Sequence, residues 1–203
     1  MKKSMDELLA EIMKKVDQLT YVRPEEIPSI DLYMEQVLTF INERMVHLTR
    51  SPEEDKILTK TMINNYTKSE LLPSPCKKKY SKDHILLLLL IYYFKGVLSI
   101  SDTGTILEKI SKDYFDCRPE FDLEDIYKEV FSLEEHQIEV LRKDILDKFQ
   151  IAEETFQEAP EEGKEYLRTF SFICLLCFDV YVKKMLIEKL VDEIAEQPGN
   201  KKE

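Results

Sequence analysis

Apolar residues recur along this chain at helical spacing. In residues 4–19 they fall at Leu8, Leu9, Ile12, Met13 and Val16, one stripe of an amphipathic helix. Val22-Arg23-Pro24 and Ile27-Pro28 then interrupt the pattern, because a proline disfavours helix in the residue before it. A second stripe, Met34, Val37, Leu38, Ile41 and Met45, predicts a helix starting near Ser29 or Asp31, either of which can cap it. Residues 49–55, with Ser51-Pro52, read as a polar loop. A short helix over 59–68 follows, capped by Thr59 and ended by Leu71-Leu72-Pro73-Ser74-Pro75. Ser81 caps a long helix over 82–97 with Asp83 in its first turn, and Ser99 or Ser101 starts another carrying Ile106, Leu107 and Ile110.

After Cys117-Arg118-Pro119 the pattern resumes with a helix over 123–131. Ser132-Leu133-Glu134-Glu135 has the form of a capping box for the next, which carries Ile138, Val140, Leu141, Ile145 and Phe149. Residues 163–196 predict one long helix, apolar nearly all round between 170 and 182. A helix without a polar face is buried, either within its own subunit or against a second copy. Residues 197–203 have the composition of a disordered tail, and no internal repeat is visible. The expected class is all-α.

Composition supports helices over sheets: 203 residues contain four glycines and eight prolines, little turn chemistry for many strands. The hydrophobic content of 43% suffices for a core. The longest apolar run, 85–94, is half the roughly 20 residues of a membrane span, so it predicts a buried helix. With an amphipathic helix at the start and no signal-like segment, the four cysteines (Cys76, Cys117, Cys174 and Cys177) are expected reduced, in the cytoplasm.

The net charge of −11 argues against an anionic partner until its distribution is considered. Residues 56–95 carry eight lysines against only Glu70 and Asp83, whereas residues 101–198 hold 25 acidic and 12 basic residues. The chain is acidic with a basic island. Solubilising a very apolar helix is the bland explanation of those lysines.

Little else resembles chemistry. Cys174 and Cys177 have redox-motif spacing but lie mid-helix among Phe172, Ile173 and Phe178, which predicts core packing. His47, His84 and His136 lack paired ligand spacing, so no metal or cofactor is expected. No glycine-rich phosphate loop is present, and acid pairs such as Glu153-Glu154 read as solvated helix surface. The expectation is a protein that is not an enzyme.

One constellation is distinctive. Leu58-Thr59-Lys60-Thr61-Met62-Ile63-Asn64-Asn65-Tyr66, then Leu71-Leu72-Pro73, then Lys77-Lys78-Lys79-Tyr80-Ser81, is preceded by Ile27-Pro28-Ser29-Ile30-Asp31-Leu32-Tyr33-Met34. It resembles a bacterial family catalogued as domain of unknown function 1836, over about residues 25–110. More remotely it is similar to the N-terminal domain of regulators of the mercury-resistance (MerR) type, which implies a winged helix-turn-helix. Under that resemblance Ile63 and Tyr66 pack inward and Asn64 takes the place of a backbone-contacting arginine. Lys79-Tyr80 matches the basic-aromatic end of the wing, and residues 98–102 the start of a fourth helix. The chain departs from the pattern in its longer loop over 49–56, in a wing without glycine, and in Asn64-Asn65-Tyr66 where an arginine and paired tyrosines would stand.

The organisation this implies is an N-terminal helix over 1–24, a MerR-like helix-turn-helix domain over 25–115, a C-terminal helical region over 120–196 and the tail. On the short helix Lys60, Thr61, Asn64, Asn65 and Lys68 face away from Ile63 and Tyr66. Asparagine can pair with adenine, while lysine and threonine can meet phosphates or base edges. The expected DNA-binding set is these five with Lys77, Lys78, Lys79 and Tyr80. A transcription regulator follows, dimeric through its C-terminal helices. The competing reading is a non-catalytic helical module that binds a protein partner, or senses a small-molecule effector in an aromatic pocket of Tyr92, Tyr93, Phe94, Phe170 and Phe178.

Overall fold

The computed structural model describes residues 4–17, 19, 21–49, 51, 56–116 and 120–196. The tail and Cys117-Arg118-Pro119 therefore lie outside the described residues. Helices dominate as the apolar spacing requires, in the order α1 (Met5–Asp17), α2 (Met34–Met45), α3 (Lys60–Lys68), α4 (Lys82–Lys95), α5 (Ile100–Tyr114), α6 (Leu123–Ser132), α7 (Glu134–Glu153) and α8 (Glu161–Ala195). Strands β1 (Leu32–Tyr33) and β2 (Lys79–Tyr80) pair antiparallel, Leu32 opposite Tyr80 and Tyr33 opposite Lys79. The class is all-α. No helix among the described residues is long and apolar enough to cross a membrane.

Two units form. The larger comprises residues 21–131 with 188–203. Its axis is α4, whose residues Ile85 to Ile91 are all buried, as a helix apolar on every side must be. Around it pack Val37, Ile41 and Met45 of α2, Ile63 and Tyr66 of α3, Leu107 of α5, and Leu123 and Tyr127 of α6. The buried Tyr127 hydroxyl donates to the Val22 carbonyl at 3.0 Å, leaving no orphan at that end of the core. The smaller unit comprises α1, α7 and α8 as far as Ile187. Its core is thin: Met5, Phe149, Ala152 and Phe172, with Leu9, Ile145, Leu175 and Leu176 partly buried against them.

Several boundaries differ from expectation for identifiable reasons. Neither Ser29 nor Asp31 caps α2: β1 occupies Leu32–Tyr33, and the helix begins after Tyr33, whose backbone N–H donates to Gln36 Oε1 at 2.9 Å. Residue 132 ends α6, so the residue preceding α7 is Leu133 rather than Ser132. At the start of α8, Glu162 and Gly163 leave helical geometry, Gly163 at φ 104°, where a side chain would be strained. The largest difference is exposure. Of the two burials expected of α8, that within its own subunit is not seen, since Phe170 is 51% and Phe178 68% exposed. Cys174 and Cys177, expected in the core, are exposed free thiols.

Candidate nucleic-acid interface

The route into α3 is fastened by side chains. Asn42, on α2, donates from Nδ2 to the carbonyls of Leu38 (2.7 Å) and Leu58 (3.1 Å). Its Oδ1 accepts from the backbone N–H groups of Ile57 (2.8 Å) and Leu58 (3.2 Å). Lys95, at the end of α4, donates to the Ile57 carbonyl at 3.0 Å and lies 4.8 Å from the Tyr92 ring centre. Burial lowers the pKa of that ammonium. Ile57 and Leu58 are themselves buried, so the chain enters α3 from a held position. Thr59 Oγ1 then accepts from the Met62 N–H at 3.2 Å, the cap expected from sequence.

Helix α3 has two faces. Ile63 is fully buried and Tyr66 is 6% exposed. Lys60, Asn64 and Lys68 stand in line at intervals of four with Thr61 and Asn65 beside them, and all five are exposed. The helix ends in a Schellman arrangement: Leu71 N–H donates to Tyr66 O (2.9 Å) and Glu70 N–H to Thr67 O (3.2 Å). Glu70, at φ 59°, occupies the left-handed position usually given to glycine. The buried pair Leu71 and Leu72 then returns the chain to the core.

The lysine segment forms a tight turn. Lys79 N–H donates to the Cys76 carbonyl at 2.9 Å, and the two residues between, Lys77 and Lys78, have φ of 50° and 65°. Two consecutive left-handed residues are the signature of a type I′ turn, where Asn-Gly is the preferred sequence. Lysines there are strained by roughly 1 kcal/mol or more each. Both are exposed at the tip. The turn leads into β2, and Lys79 places its ammonium 5.4 Å from the ring centre of Tyr33, its partner on β1. Two residues further, Glu35 ion-pairs with Lys60, the first residue of α3. One short segment of chain, Tyr33 to Glu35, thus meets both the lysine turn and the head of α3.

The lysines of the basic island are not equivalent. Lys95 is committed to a backbone carbonyl, and Lys82 pairs with Glu124 at 2.7 Å. Lys60 has Glu35, although both side chains remain mostly exposed. The positive charge that faces outward is concentrated at Lys56, Lys68, Lys77 and Lys78. None of these four makes an ion pair with another described residue.

Tyr80 departs from the expected set. It is 4% exposed, its backbone pairs with Leu32, and its ring meets the edge of His84 at 5.4 Å. Burial raises its pKa, so it is a neutral core phenol that supports the turn. His84 is buried between Tyr80 and Phe115, and its Nδ1 accepts from the Ser81 N–H at 3.0 Å. Sequence reasoning overlooked Tyr33, Glu35 and Asn42. Only the short polar gap in the apolar stripe of α2 hinted at Asn42.

The aromatic pocket expected for an effector does not assemble as a set within one unit. Tyr92, Tyr93 and Phe94 pack against the core of the larger unit, while Phe170 and Phe178 belong to the smaller and are exposed. A cavity of about 620 Å³ does open in the larger unit, with Glu70, Leu71, Gly104, Glu108 and Lys112 in its lining.

Residues 22–130 match the family model described as "Domain of unknown function (DUF1836)". No curated protein and no solved structure matches the chain.

Proposed function

The chain belongs to the DUF1836 family, whose description assigns no activity, and we propose that it is a DNA-binding transcription regulator of the cytoplasm. In this reading α3 enters the major groove and the lysine turn follows the phosphate backbone, as the remote MerR-type resemblance implies. Asn64 and Asn65 offer the donor–acceptor pairs that recognise adenine, and Lys60, Thr61 and Lys68 flank them. Lys77 and Lys78, with Lys79 behind them, neutralise phosphates. The overall charge of −11 keeps other surfaces away from the polyanion, which orients the encounter.

One observation carries this reading: two lysines with no ion pair among the described residues stand at the tip of a strained turn tied, through Tyr33 and Glu35, to the head of a helix with a wholly polar outer face. A turn needing only to reverse the chain would be more stable with asparagine and glycine. Binding of the wild-type protein to mixed DNA fragments, followed across salt concentration, is the test. Replacing Lys77, Lys78 and Lys79 by alanine should weaken binding to all sequences and flatten the logarithmic salt dependence by about 0.9 per lost phosphate contact. Asn64→Ala should instead cost about 1–3 kcal/mol at preferred sites only. Wild-type protein that retards no DNA at low salt ends this reading in favour of an acidic protein partner for the same turn.

A further inference from the structure

After Gly163 the chain enters a long continuous helix whose inner side, Phe172, Leu175 and Leu176, packs against the thin core of its own unit. Its outer side is exposed and, Lys184 apart, largely apolar. Tyr166 is 67% exposed, Phe170 51%, Ile173 50%, Phe178 68%, Tyr181 67% and Met185 50%, and the exposed thiols of Cys174 and Cys177 lie among them. At 100° per residue these eight positions fall within an arc of about 140°, a single stripe about 30 Å long.

The spacing of these positions is symmetric end to end, although the residue types match only at the two cysteines and exposed Lys184 lies in the same arc. About the point between Leu175 and Leu176, Tyr166 mirrors Met185, Phe170 mirrors Tyr181, Ile173 mirrors Phe178, and Cys174 mirrors Cys177. A second copy related by a two-fold axis suits such spacing, because each residue then meets the one equally far beyond the centre, apolar against apolar and Cys174 against Cys177. The size also fits. With about 200 Å² for each large side chain, the exposed stripe offers roughly 700 Å² per copy, close to the roughly 800 Å² each partner contributes to a standard interface.

We infer that the outer face of α8 is a self-association surface, on which two copies of this chain pair antiparallel with Cys174 of one beside Cys177 of the other. The inference stands apart from the DNA reading. If both hold, the pair presents two α3 helices to two half-sites.

The test uses the full chain at micromolar concentration. Sedimentation should give twice the chain mass of 24.1 kDa. Phe178→Glu should raise the dissociation constant by about 30-fold or more while leaving the far-ultraviolet spectrum unchanged, since that ring is exposed in the single chain. Register is read by mild oxidation in a background where Cys76 and Cys117 are serine. A mixture of Cys174→Ser and Cys177→Ser chains should cross-link between the two kinds faster than either does alone. A monomer at high micromolar concentration would overturn the inference and leave the stripe to a different protein. So would a dimer indifferent to Phe178→Glu, or cross-linking that prefers like with like.

Discussion

The two units of this chain handle apolar surface in opposite ways. In the larger, a helix apolar on all sides is enclosed by its neighbours, and Ile85 to Ile91 are withdrawn from solvent. In the smaller, a longer helix that is apolar mainly in its middle is covered on one side only, and its large exposed side chains outnumber its buried ones. One unit encloses its apolar helix and the other leaves much of its apolar helix exposed.

That contrast can be pressed first by truncation. Leu88→Ala removes a fully buried side chain from α4 and should lower the unfolding free energy of the larger unit by about 2–5 kcal/mol in urea titration. Phe178→Ala removes a larger group from α8, yet at concentrations too low for association it should cost well under 1 kcal/mol. Equal losses in the two variants would dissolve the distinction.

A smaller effect of opposite sign is expected at the lysine turn. Lys77→Asn with Lys78→Gly relieves two left-handed lysines and should stabilise the larger unit by about 1–2 kcal/mol. The same pair should weaken DNA binding. A variant that loses both stability and binding would show that the lysines serve the fold. The smallest effect concerns acid. Burial holds the His84 pKa below its usual value, against the opposing pull of the Pro73 and Ser74 backbone and of Asp31 and Asp116. The unfolded chain therefore takes up this proton first, and the stability present above the ordinary histidine pKa of about 6.5 is lost as pH falls below it. The slope cannot exceed about 1.4 kcal/mol per pH unit for this group. His84→Gln, which keeps an acceptor for Ser81, should flatten it, and an unchanged profile would place the acid sensitivity elsewhere.

What the sequence disclosed was mostly local. Thr59, Ser81 and Ser99 precede their helices as capping chemistry foretells, and Ile63 and Tyr66 face inward because a spacing of three puts them on one side. What it concealed depended on distant partners. Leu32–Tyr33 looks like the entry to a helix until the segment at Lys79–Tyr80 gives it a strand to pair with. Asn42 is an ordinary polar gap until Ile57 and Leu58 arrive beside it. Periodicity showed that α8 is apolar nearly all round between residues 170 and 182 but not whether its neighbours there were in the same chain. Tyr80 was misplaced for a related reason: the basic residues before it suggested a surface, while its strand pairing turned the ring inward.

The Asn42 clamp has a practical corollary. Because Ile57 and Leu58 are gripped downstream of the connection from α2, the aim of α3 is set after that connection and not by its length. A longer connection adds only a logarithmic closure entropy. A fluorophore tag or a protease site spliced in just before Lys56 would therefore report on α3 without re-aiming it, which makes this junction a natural insertion point for engineering the protein.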